Sequence, residues 1–132
     1  MLTFLSMTLC SCASMQYGNL TNTSVKNDEY LAQDSIKRIS KLKVPARTTF
    51  KVYQKPDSVF GHKLVELLRQ QGYGVQENLT SDKKSNFHYV VDKLDEQDDV
   101  RVSLFMNDES LSRAYHIKPG RVIPISAWSH KE

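Results

Sequence analysis

The apolar residues of this chain change their spacing once, at Gly72, and that change limits the folds open to it. Before Gly72 they recur at intervals of three and four, the signature of one buried helix face; after it they alternate with polar residues, as on a half-buried strand. Asn27 or Asp28 is expected to cap a first helix, along which Ala32, Ser35, Ile36, Ile39 and Leu42 form a narrow stripe opposite Lys37, Arg38 and Lys41. Val44-Pro45 stops it. Residues 48–53, rich in Thr, Phe, Val and Tyr, predict a strand that breaks at Lys55-Pro56. Asp57 is then expected to cap a second helix with Phe60, Leu64, Leu67 and Leu68 on one face, closed by Gly72 in the left-handed conformation.

Beyond Gly72 the alternation predicts a run of antiparallel strands: a short one at residues 73–76, then 86–94, 100–107, 111–117 and 122–128, joined by polar turns. Val100, Val102, Leu104 and Met106 share a face, and Phe105 breaks the pattern. The order helix, strand, helix, strands implies an α+β fold with two helices packed on one face of a mostly antiparallel sheet of about five or six strands. At 132 residues there is room for one such domain.

The N-terminus reads differently. Residues 1–9 are apolar and uncharged, but a membrane-spanning helix needs about 20 residues, so the run suits a signal-peptide core. No Lys or Arg precedes that core, which leaves the start position open. The run ends in Leu9-Cys10-Ser11-Cys12, which resembles the lipobox of bacterial lipoproteins: an aliphatic residue, two small ones, and the cysteine that receives lipid. Ser11 leaves room for cleavage before Cys12, whereas Cys10 follows the bulky Leu9. The resulting expectation is a signal peptide over residues 1–11, Cys12 carrying diacylglycerol and an N-acyl chain, a flexible tether over 12–27 and one periplasmic domain over 28–132. The competing reading makes the N-terminus an apolar core element with two buried thiols; the Asn-, Ser- and Thr-rich stretch that follows argues against it. By resemblance to lipoprotein sorting in enteric bacteria, Ala13 in place of Asp at the second position favours the outer membrane.

Chemistry-bearing patterns are sparse. A net charge of +3 scattered among acidic residues gives no basic stripe for nucleic acid. His62, His88, His116 and His130 lack the spacing of a helical metal pair, although neighbouring strands could bring His88 and His116 together. The acidic run of residues 92–99 lacks the glycine and closing Glu of a calcium loop and suits a hairpin turn. With both cysteines in the first dozen residues, no Gly-x-Ser-x-Gly elbow and no glycine-rich phosphate loop, the expectation is a protein that is not an enzyme, with no catalytic residue, no metal and no cofactor beyond the lipid. Trp128 and Tyr115 are the candidate partner-binding residues, and exposed sheet edges the candidate sites of strand addition.

Phe60-Gly61 with Leu64, Leu68 and Arg69, running into Gly72-Tyr73-Gly74-Val75, resembles the central block of the TrbH family of conjugal-transfer lipoproteins. Tyr89-Val90-Val91-Asp92, Val100-Arg101-Val102-Ser103-Leu104, Ser110-Leu111-Ser112-Arg113-Ala114-Tyr115 and Trp128-Ser129-His130-Lys131-Glu132 follow in the family's order, and Tyr17-Gly18 fits too. The resemblance implies a structural part of the type IV secretion machinery that forms mating pairs. Its partners would be other secretion subunits, among them an outer-membrane ring protein, with no small-molecule substrate and no direct contact with nucleic acid. The alternative, from another class, is a periplasmic lipoprotein that binds and regulates another envelope protein or a cell-wall enzyme.

Overall fold

The computed structural model describes residues 17–55, 58–95 and 97–132. The expected signal segment and Cys12 lie outside the described residues, as does Asp57. Eight strands and two α-helices follow in the order β1 (Gly18–Asn19), α1 (Val25–Leu42), β2 (Thr49–Lys51), α2 (Val59–Gln70), β3 (Gly74–Gln76), β4 (Phe87–Lys93), β5 (Asp99–Met106), β6 (Glu109–Lys118), β7 (Arg121–Pro124) and β8 (Ser129–Lys131).

Local chemistry sets the ends of both helices. Ser24, not Asn27 or Asp28, caps α1, its Oγ accepting the Asn27 N–H at 3.3 Å. Both expected caps are instead buried in the first turn of the helix, because Ser24 offers an acceptor three residues earlier. Ser58 caps α2 in place of the expected Asp57 and accepts the Gly61 N–H. Gly72 ends α2 as anticipated, with φ of 92°. Its N–H bonds Arg69 O and that of Tyr73 bonds Leu68 O, the paired bonds of a Schellman motif.

The main sheet runs β1-β4-β5-β6-β7, and β8 pairs the other half of β6. Antiparallel ladders join β4, β5, β6 and the last two strands. Two-residue turns make two of these reversals: Asn107-Asp108, with Asn107 at φ 52°, and Pro119-Gly120, with Gly120 at φ 69°. Leu31, Ile36, Ile39, Phe60, Leu64 and Leu68 from the helices close over Tyr89, Val91, Val102, Leu104, Leu111 and Tyr115 from the sheet, forming one core. No helix among the described residues is long and apolar enough to cross a membrane.

Three further expectations change. β3 does not begin the antiparallel run; it pairs in parallel with β2, Phe50 opposite Val75, because α2 intervenes as a crossover. The strand expected at 122–128 is broken into β7 and β8. Part of the expected tether belongs to the domain. Gly18 and Asn19 pair in parallel with Val90 and Val91, Leu20 N–H donates to Val91 O at 2.7 Å, and Asn19 and Thr23 both bond the Asp28 carboxylate. Burial pushes the Asp28 carboxyl above the usual range, against those two bonds.

Side chains and one backbone bond, Asn86 N–H to Lys51 O at 3.0 Å, connect the small sheet to the large one in place of a ladder. Asn86 accepts the Lys51 N–H and donates to Thr49 O, while Gln54 both accepts from and donates to the backbone of Tyr89. The outer edge of β4 is therefore shared, with β1 beside Val90 and Val91 and the Gln54 amide beside Tyr89.

Candidate functional site

Strand alternation places Arg113 on the helix-facing side of β6, between Leu111 and Tyr115, where a charge needs partners. It has them. Its Nη1 lies 2.9 Å from Asp34 Oδ2 on α1, its Nε donates to Ser126 O at 2.9 Å, and its guanidinium sits 5.8 Å from the Tyr115 ring and 6.0 Å from that of Trp128. Tyr115 donates its hydroxyl to the same Asp34 oxygen at 2.5 Å. Burial, reinforced by that bond and by the Asp34 charge, holds the phenol protonated far above its ordinary range.

This clamp coincides with the break in the terminal strand. Ile125 N–H still bonds Ala114 O, but the Ala114 N–H is taken by the Ser126 side chain at 2.9 Å, so a hydroxyl replaces a ladder carbonyl. Pairing resumes at Ser129, whose Oγ lies 2.7 Å from that of Ser112. The excursion leaves Ile125 half exposed and Trp128 partly buried, its ring laid over Arg113. Of the two candidate partner residues, only Trp128 thus has surface to offer. Tyr115 is fully buried and acts by fixing Asp34. Sheet edges are short as well: β1, β3, β7 and β8 contain two, three, four and three residues.

A second polar group lies further along α1 and β6. Lys43 pairs with Glu109, and His130 stands 3.3 Å from the other Glu109 oxygen. The Lys43 bond chiefly holds the Glu109 carboxyl below its usual range. Ligand atoms of Glu109, His130 and Glu132 lie within 4.8 Å of one another, the spacing of a divalent-cation site. Lys43 already occupies one Glu109 oxygen, so a cation there has a competitor. His88 and His116 each pair with a carboxylate of their own. His88 bonds Asp82 at 2.9 Å and His116 bonds Asp99 at 2.5 Å. The register sets His88 opposite Phe105 and Phe105 opposite Ser110, six residues from His116, so the two are roughly 20 Å apart at about 3.4 Å per residue. The acidic stretch is a hairpin turn, with Asp92 bonded to Arg101 across the ladder and Asp95 accepting the Gln97 N–H.

Sequence reasoning missed the Asp34–Arg113 pair, which joins residues 79 apart. One signal was present: the alternation that puts Leu111 and Tyr115 inside also puts Arg113 inside.

The fold and this patch define a small α+β domain whose most fully connected polar group is a structural clamp beneath a partly exposed tryptophan. The family profile described as conjugal transfer protein TrbH matches residues 14–132, and the chain belongs to that family. No curated protein and no solved structure matches it.

Proposed function

We propose that this chain is a lipid-anchored structural component of a conjugative type IV secretion system, held in the outer membrane through Cys12 with its domain in the periplasm, where it joins other transfer subunits. The observation that carries the transfer role is the family match over residues 14–132. Anchoring rests on the lipobox-like Leu9-Cys10-Ser11-Cys12. The reading is non-catalytic: the best-connected polar side chains hold α1 to β6 and to the terminal strand, a use of charge that fixes geometry.

A lipid anchor confines the domain to a thin layer, so a modest contact around Trp128 and Ile125 is enough to hold a subunit of the same assembly. Its partner is expected to be an outer-membrane ring protein. Density-gradient separation of donor-cell membranes tests the placement. The chain is expected with the outer-membrane fraction; its recovery in the cytosolic fraction contradicts the proposal.

A further inference from the structure

The sheet face away from the helices carries one aromatic group that does not belong to the core. Tyr17 stacks on His88 with ring centres 4.2 Å apart and planes 21° apart, and meets Phe105 edge-on at 6.1 Å. From Gly18 onward the chain is paired to β4. The domain thus holds the chain at Tyr17, and only residues 13–16 separate that point from Cys12. Five residue steps span at most about 18 Å when fully extended. A domain of this length is roughly 35 Å across by the usual size scaling, so such a leash cannot let it tumble freely over its anchor.

The charge beside Tyr17 suits a lipid surface. His88, the ring under Tyr17, is bonded to Asp82, the first residue of a short 3-10 turn, Asp82–Lys84. That bond engages the acidic residue of the turn and leaves Lys83 and Lys84 exposed at the same corner, where cations are drawn to anionic headgroups.

We infer that the corner formed by Tyr17, His88 and Phe105, with the Lys83-Lys84 turn, lies against the acidic phospholipid surface of the membrane that holds Cys12. The inference rests on Cys12 being lipidated, as proposed above. It turns α1 and the Trp128 patch, which lie on the opposite face of the sheet, toward the periplasm and its partners.

The test uses the full lipidated chain in vesicles of phosphatidylethanolamine and phosphatidylglycerol that carry a headgroup-linked quencher. A fluorophore is attached either at Lys83→Cys or, on the far face, at Lys41→Cys. The mass of each purified protein is read first: absence of the lipid contradicts the anchor reading itself. With lipid attached, the Lys83→Cys label is expected to lose most of its emission and the Lys41→Cys label to keep it. Inserting a long Gly/Ser segment between Gln16 and Tyr17 is expected to restore the first label's emission. Equal quenching at both positions, or quenching that the insertion leaves unchanged, overturns the orientation while leaving the anchor intact. A Lys83→Cys label unquenched on vesicles but shielded from soluble thiol reagents in donor cells means that a protein covers this corner, and also overturns it.

Discussion

Arg113 on β6 and Asp34 on α1 meet at 2.9 Å across 79 residues of sequence, joining the helical layer to the strand that both terminal pieces of the sheet pair with. Each side chain is less than a quarter exposed. Asp34→Ala leaves the Arg113 charge without its carboxylate and is expected to cost about 2 kcal/mol, read by urea denaturation; breaking a fully buried pair costs about 3–5 kcal/mol, and residual solvent softens that here. An unchanged midpoint contradicts the clamp.

Tyr115→Phe removes only the hydroxyl that donates to Asp34, and a loss of about 1 kcal/mol is expected near neutral pH. The folded phenol titrates above its ordinary value of 10, so its contribution is intact below that pH and is lost as pH rises beyond it. The wild-type chain should accordingly lose stability more steeply than Tyr115→Phe above pH 10. Thermal melts across the alkaline range read the difference.

For Glu109 the sign is opposite. Its carboxyl is held below the ordinary 4.5, chiefly by the bond from Lys43, so its contribution is present above 4.5 and fades as pH falls through the depressed value. Glu109→Gln is expected to lower stability at neutral pH by less than about 1 kcal/mol, since the pair is partly exposed to water. In acid the two melting curves should converge. A gap that widens on acidification contradicts the Lys43 assignment.

Gly72 takes φ of 92°, where a β-carbon is strained. Gly72→Ala is expected to destabilise by about 1–2 kcal/mol through the end of α2. Amide exchange at Tyr73, whose N–H closes the motif on Leu68 O, should speed up before that of the β5 core does.

Much of the architecture was legible because burial imposes periodicity. The stripe of Leu64, Leu68 and Phe60 and the alternation of Val100, Val102, Leu104 and Met106 each have one face to hide, and Gly72 announced the change between them. Less legible was anything set by contacts between distant residues. The parallel pairing of β3 follows from where α2 crosses, which no short window records. Ser126 breaks the last strand by accepting the Ala114 N–H on its hydroxyl oxygen, while its carbonyl accepts from Arg113, and a strand-like composition hides both acts. The Asn- and Thr-rich segment after Tyr17 has the composition of a tether, yet Asn19 and Thr23 spend their side chains on Asp28. Of the two candidate partner residues, Trp128 keeps some surface and Tyr115 has none, a difference that aromatic composition does not carry.

In the function proposed above, a lipid on Cys12 makes this domain a working part of the transfer machinery, and Cys12→Ser tests that in donor cells through palmitate incorporation and plasmid transfer frequency measured together. Loss of labelling is expected, with a fall in transfer of about 100-fold, the order by which tethering raises effective concentration. Labelling that persists in the variant, or transfer that stays at the wild-type frequency without it, contradicts the claim.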